Sequence, residues 1–313
     1  MRNPGIEFLR GIAAFGIVGH HLLLSPLAPS SILCTELCEM NVGVFGAVSG
    51  YLMVCGRWKG WRAYVKKRAG RILPIYAMWT IVYLIFSTLF QIVDCGMVNA
   101  RYGEPIFWVR VAFWGSAATH LWFLVSLFYA QITVAGLFRK MPSVVLICCS
   151  LVLISASIWS NNWYVTYPIR LLAFLMLGRG LVAIGRDRLR CRRRLLLAVG
   201  LVCIGLHFVH FPWPTGFVKD WIVVVPILLA FVAWSDQFTG RLASIGAFLG
   251  TTSMGVYLVH PIFTKGVGLI VRQIFVAPYG VLPVMVDWLI SWLCALLVTL
   301  VLLHFTRSAR FVR

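Results

Sequence analysis

An arginine and a histidine placed eleven residues apart in one apolar stretch constrain this chain more than any other feature. The stretch begins Glu7-Phe8-Leu9-Arg10-Gly11 and ends at His20-His21. A charged group at the centre of a lipid-spanning helix costs about 2.5 kcal/mol or more, so such residues face a protein interior or a water-filled path. Eleven residues of α-helix turn through about 1100°, which puts Arg10 and His21 within roughly 20° of one face and about 16 Å apart along the axis. His20 points some 80° away from Arg10 on the same arithmetic. One helix therefore aims a fixed cation and a titratable base into the same interior at two depths.

The setting for that helix is a membrane. Of 313 residues, 61% are hydrophobic and 12% charged, which excludes a soluble globular domain. Apolar runs of about 20 residues read as membrane helices. Ten are legible, at 6–25, 42–56, 72–93, 120–138, 143–160, 167–184, 195–211, 220–235, 246–264 and 284–305. The stretch 42–56 is short for a full crossing. The stretch 265–282 is apolar, but Gly266, Gly268, Arg272 and Pro278 make it read as an outer loop or half-helix. The expected fold is all-α, a polytopic transmembrane bundle of about ten spans, forming one domain over 1–313. The N-terminal run carries Glu7 and Arg10 and no small-x-small site, so it does not read as a cleaved signal peptide.

Twenty-eight Lys and Arg against nine Asp and Glu give a net charge of +19. In a soluble chain that excess would suggest nucleic acid. Here the basic residues gather at 57–71, at Arg139-Lys140, at 186–194 and in the tail after Arg307. With ten spans and both termini in the cytoplasm, all four clusters fall on the inner side, as the positive-inside rule requires. Nucleic-acid binding is not expected. Nine cysteines include Cys34, Cys38 and Cys95 in segments read as outer loops, where a disulfide is permitted but its pairing is open. No CxxC or Cys/His zinc spacing occurs, so no metal is expected.

This topology sets His21, His120 and His260 toward the outer side and Arg10, Arg68 and Arg71 toward the cytoplasm. Five blocks in that order resemble the acyltransferase-3 family of integral-membrane O-acyltransferases, which acylate bacterial cell-surface polysaccharides and related acceptors. They are Glu7-Phe8-Leu9-Arg10-Gly11 through His21; Val44-Phe45-Gly46-Ala47-Val48-Ser49-Gly50-Tyr51-Leu52; Arg68-Ala69-Gly70-Arg71-Ile72-Leu73-Pro74-Ile75-Tyr76; His120-Leu121-Trp122-Phe123-Leu124; and Ser253 through Tyr257 to His260-Pro261. The fourth block departs from many members, which carry a glutamate where Ser126, Leu127 and Phe128 stand. The second begins with Val44 in place of phenylalanine.

The resemblance implies His21 as catalytic histidine, taking the proton of an acceptor hydroxyl or carrying the acyl group as acyl-imidazole. The competing reading of His21 is a buried histidine that ties helices together. Arg10 is implied as its partner at the donor, and its rival role is an ion pair with Glu7 on the same helix. Arg68, Arg71 and Tyr76 are implied at the donor, acetyl-CoA, whose phosphates suit bidentate arginine bonds; plain topology signalling or anionic-lipid contact is the alternative. Ser49, His120, Trp122, Tyr257 and His260 are the candidates for the acceptor side; packing against the first span is the leading reading of Ser49, and ordinary packing or interface composition competes for the others. His207, His210 and His304 read as structural. The leading expectation is acyl transfer at the bacterial inner membrane from cytoplasmic acyl-CoA to a carbohydrate or lipid-linked glycan hydroxyl, through a water-accessible passage lined by Arg10 and His21. The alternative is a transporter or flippase-like permease for an anionic or lipid-linked substrate.

Overall fold

A computed structural model describes residues 3–23, 32–54, 60–95, 100–114, 120–157, 162–208, 216–274 and 281–305. Every regular element among them is helical. In chain order they are α1 (Pro4–Leu23), α2 (Ile32–Val54), α3 (Trp61–Cys95), α4 (Pro105–Trp114), α5 (Trp122–Gly136), α6 (Ser143–Ser157), α7 (Trp163–Leu181), α8 (Arg186–Cys191), α9 (Arg193–Phe208), α10 (Gly216–Ala233), α11 (Gly240–Ile274) and α12 (Val281–Phe305). Short 3-10 turns at Ala100–Gly103 and Val182–Ile184 complete the set.

In hydrocarbon every backbone N–H and C=O must be satisfied inside its own segment, and a helix does this for an apolar run. Four segments are long and apolar enough to cross a membrane by length and composition: Trp61–Leu89, Val165–Ile184, Gly240–Gly268 and Leu282–His304. Shorter apolar helices cover Met40–Met53, Trp122–Gly136, Ser143–Ser157 and Ile222–Ala233. Their outer faces carry long apolar stripes. Ile81, Ile85 and Leu89 of α3 and Leu289, Leu293, Leu297 and Val301 of α12 are all exposed at four-residue spacing. Stripes of that size on a soluble protein would drive aggregation, whereas lipid tails are their natural solvent. The chain is an integral membrane protein.

Three of the sequence boundaries need correction. Of the two readings of the run 265–282, loop or half-helix, its first part is helical: α11 continues through Pro261 to Ile274. Gly268 there lies against the Asp287 carboxylate of α12, so tertiary packing outweighs the glycines' low helix propensity. The basic segment before residue 72 is helical from Trp61, which places Lys66, Lys67, Arg68 and Arg71 on the first turns of α3. Lysine and arginine are good helix formers, so charge ends the apolar run without ending the helix. The short stretch at 42–56 belongs to a 23-residue helix, about 34 Å long at 1.5 Å per residue. Cys148, Cys149, Cys191, Cys203 and Cys294 are free thiols; the side chains of Cys34, Cys38 and Cys95, and those of His207 and His210, lie outside the described residues.

Helix α1 is the organising element. It packs along α11 and α2 and also touches α12 and α10, while α2 lies along α7. Small residues let these backbones approach, as in other membrane bundles. A Cβ on Gly50 of α2 would collide with the Leu175 carbonyl of α7, and one on Gly178 of α7 with the Ala47 carbonyl of α2. Gly250 of α11 meets the Glu7 side chain in the same way. These seams fix which faces of α1, α2 and α11 look inward, and both ends of the candidate site depend on that.

Candidate functional site

Near its N-terminal end α1 contributes Arg10 to a cavity of about 310 Å3. Arg68 and Arg71 of α3, Ser49 and Phe45 of α2, Gln131 and Leu127 of α5, and Thr251 and Met254 of α11 complete most of its lining. Arg68 and Arg71 are three apart on a helix and so share a face. Glu7 also lines the cavity, buried at 5% exposure, and its Oε2 accepts a hydrogen bond from Arg10 Nη1 at 3.1 Å. The ion pair that competed with a donor role for Arg10 therefore exists within the cavity itself. Glu7 offsets one of three guanidinium charges, and the lining keeps a net positive charge. Arg68 packs over the Tyr64 ring, 5.2 Å from its centroid, which steadies a long side chain at an otherwise open mouth.

The C-terminal end of α1 is different. The His21 ring lies 5.0 Å from that of His260 on α11 and 6.3 Å from that of His120, measured between centroids. His120 and His260 are 5.8 Å apart, and His20 is 5.6 Å from His21. Two tyrosines pin the cluster. Tyr83 of α3 packs edge-on against His120 at 4.5 Å and donates its hydroxyl to the Leu258 carbonyl at 2.6 Å. The Tyr257 hydroxyl donates to the His120 carbonyl. His120 and His260 are fully enclosed, at 1% and 0% exposure. Neither ring nitrogen of His120 has a hydrogen-bond partner, and neither has Nε2 of His260. A buried polar atom without a partner is costly, so these nitrogens make the cluster a candidate place for substrate atoms or water to complete the bonding.

Of the residues singled out in the sequence, Arg10, Ser49, Arg68 and Arg71 thus share the cavity, and His21, His120, Tyr257 and His260 share the cluster. Trp122 stands at the cluster's edge, its ring tilted by 45° against that of Tyr167 of α7 at 5.1 Å. Tyr76 joins neither group: it is buried, and its hydroxyl donates to the Val111 carbonyl of α4. Phe45, which lines the cavity, packs at 5.8 Å from Phe123 and 6.4 Å from Tyr257, so aromatic contacts join the arginine group to the histidine group.

Two buried polar residues near these groups are not among those the sequence singles out. Arg170 of α7, 7% exposed, lies in the neighbourhood of His20. An arginine in the interior of the apolar run 167–184, which also holds Arg179 nearer its end, was the available signal. Gln131 is buried in the cavity lining, and its Oε1 has no partner; a single amide in an apolar helix gives no comparable warning. Among the described residues no group of three or more His, Cys, Asp or Glu side chains is placed to hold a metal ion.

Residues 3–304 match the acyltransferase-3 family model, described as an acyltransferase domain. No curated protein and no solved structure matches the chain. The match spans nearly the whole chain, which therefore belongs to the acyltransferase-3 family and is a membrane acyltransferase enzyme.

Proposed function

We propose that this acyltransferase takes an acetyl group from cytoplasmic acetyl-CoA and esterifies a hydroxyl of an exported or cell-envelope glycan. Ten spans with both termini in the cytoplasm of a plasma membrane frame the reaction, with 1–313 acting as one domain. The observation that carries the reading is the division of labour along α1. Its Arg10 end meets two more arginines at a cavity, and its His21 end meets two more histidines.

Each end suits one half of the chemistry. The cavity offers three guanidinium groups against a single carboxylate, a lining that fits the phosphates of an acyl-CoA through charge-assisted, bidentate bonds. Ser49 and Gln131 add neutral polar contacts for the pantetheine arm, whose amides need both donors and acceptors. Histidine is the side chain whose ordinary pKa lets it take and return a proton near neutrality. One ring nitrogen of His21 removes the proton from the acceptor hydroxyl as its oxygen attacks the thioester carbonyl. The carbon–sulfur bond breaks, the ester forms, and His21 returns the proton to the departing thiolate, so thiol and ester are the only products. His120, Trp122 and Tyr257 shape the acceptor side.

The test uses the full chain in lipid vesicles with acetyl-CoA labelled in the acetyl group. Label found covalently on extracted glycan, and absent from it with His21→Ala, supports the assignment. Intact labelled substrate crossing the vesicle with no ester formed would instead favour the permease reading, and normal turnover by His21→Ala would remove His21 from the mechanism.

A further inference from the structure

The fifth sequence block ends His260-Pro261, and the proline has a consequence for the histidine. A proline inside a helix cannot donate to the carbonyl four residues before it. In α11 that carbonyl belongs to Tyr257. It is taken up instead by the His260 ring: Nδ1 lies 2.7 Å from the Tyr257 carbonyl oxygen and 3.3 Å from that of Val256. A carbonyl only accepts, so Nδ1 must carry the hydrogen. In a neutral imidazole the other nitrogen is then a lone pair without hydrogen. That nitrogen, Nε2, is the one that is buried without a partner.

The nearest of the other histidine rings to His260 is that of His21, with centroids 5.0 Å apart and ring planes 39° apart. At that separation a rotation of either ring can bring a nitrogen of His21 within hydrogen-bond reach of His260 Nε2, a bond that is not formed in this structure. His120, at 6.3 Å from His21, is too far for a direct bond of this kind. We infer that His260 is the positioning residue of a His21–His260 pair: Pro261 frees the Tyr257 carbonyl, the carbonyl fixes the His260 tautomer, and Nε2 accepts the N–H of His21 during turnover. His21 is thereby held with its second nitrogen as the lone pair that faces the acceptor hydroxyl. A third group that orients a catalytic base is the general pattern of nucleophile–base systems; here a neutral imidazole fills the place usually given to a carboxylate. The inference rests on the catalytic reading of His21 and adds to it the part played by His260 and Pro261.

Two substitutions separate this role from mere packing. His260→Asn keeps an amide donor where Nδ1 stands and loses the acceptor at Nε2. His260→Gln reaches to the Nε2 position and keeps an acceptor there. The full chain in lipid nanodiscs should show kcat reduced about tenfold or more in His260→Asn, in line with the cost of a mis-set base tautomer. The KM for acetyl-CoA should be unchanged, and His260→Gln should recover a substantial part of the rate. His260→Asn matching or exceeding His260→Gln would overturn the inference. Nitrogen NMR of histidine-labelled wild-type enzyme needs no variant: His260 should show a protonated Nδ1 and a bare Nε2, and the reverse would overturn it too. The control is His21→Ala. If that variant stays active, the catalytic reading of His21 fails; if it is dead while His260→Asn keeps the wild-type kcat, only the pairing fails.

Discussion

The two ends of α1 hold similar numbers of ionisable groups but treat them in opposite ways. At the arginine end the charges line a cavity, one of them already paired with Glu7 and another steadied on Tyr64. At the histidine end His120 and His260 are enclosed among Tyr83, Tyr257 and Phe123, and three of their four ring nitrogens are left without partners. Permanent cations tolerate an open, hydrated mouth because water and counter-ions share the cost of the charge. A base that must pass a proton works best where its geometry is fixed and water is kept out. On the proposed reading, donor binding and proton transfer fall at opposite ends of one helix, joined by the ring contacts of Phe45, Phe123 and Tyr257.

The largest effect should come from the enclosed end. His21→Ala should lower kcat by about 100-fold or more, the range expected when a general base is lost, while equilibrium binding of acetyl-CoA stays intact. Loss of binding together with rate would show that the two ends are not separable. At the open end the pattern should reverse. Arg68→Ala and Arg71→Ala should each raise the KM for acetyl-CoA about 10- to 100-fold, because a hydrogen bond to a charged group contributes about 1.5–3 kcal/mol, and kcat should change much less. Steady-state kinetics with purified enzyme separates the two parameters. Lysine at either position should restore only part of the loss, since it offers charge without the planar fork.

The aromatic contacts that join the two ends give a smaller and different signal. Phe45 is buried and touches both regions. Phe45→Leu removes ring volume without adding polarity, so the bundle should fold while these contacts weaken. Acetyl-CoA should then be hydrolysed severalfold faster when no acceptor is present, as water reaches the thioester. Release of free thiol, followed without acceptor, measures that leak. An unchanged rate would mean that the ring contacts do not guard the reaction.

Much of this division is legible in the sequence. The spacing of Arg10 and His21 sets their common face, and lipid solvent turns each apolar run into a helix. What is not legible depends on neighbours from distant segments. The run after Pro261 looks broken because Gly266 and Gly268 are poor helix formers, yet packing against α12 keeps it helical to Ile274. Tyr76 follows Arg68 and Arg71 so closely that it reads as their companion, but its place in α3 turns it toward α4. Arg170 sits in a run read for its apolar length, and only the fold shows that His20 is its neighbour. The proline after His260 is plain in the sequence, while its effect on the ring appears only once the Tyr257 carbonyl and the imidazole are seen together.

The smallest expected effect tests whether the arginine cavity works by geometry or by charge alone. The segment around α8 also carries a dense basic cluster, with Arg188, Arg190, Arg192, Arg193 and Arg194. There Asp236 accepts a hydrogen bond from Arg190 Nε at 2.7 Å, and that carboxylate raises the already high pKa of the guanidinium. Most of this cluster is exposed, and an exposed charge is screened beyond about 8 Å at physiological ionic strength. None of its arginines lines the cavity that holds Arg10, Arg68 and Arg71. Arg188→Gln with Arg192→Gln removes two positive charges, more than either single cavity substitution removes. The KM for acetyl-CoA should nevertheless stay within about twofold of wild type at 0.15 M salt, where such distant charges are screened. A rise comparable to that of Arg68→Ala would mean that the basic face as a whole attracts the donor, and the contrast between an organised cavity and an ordinary inside-positive loop would disappear.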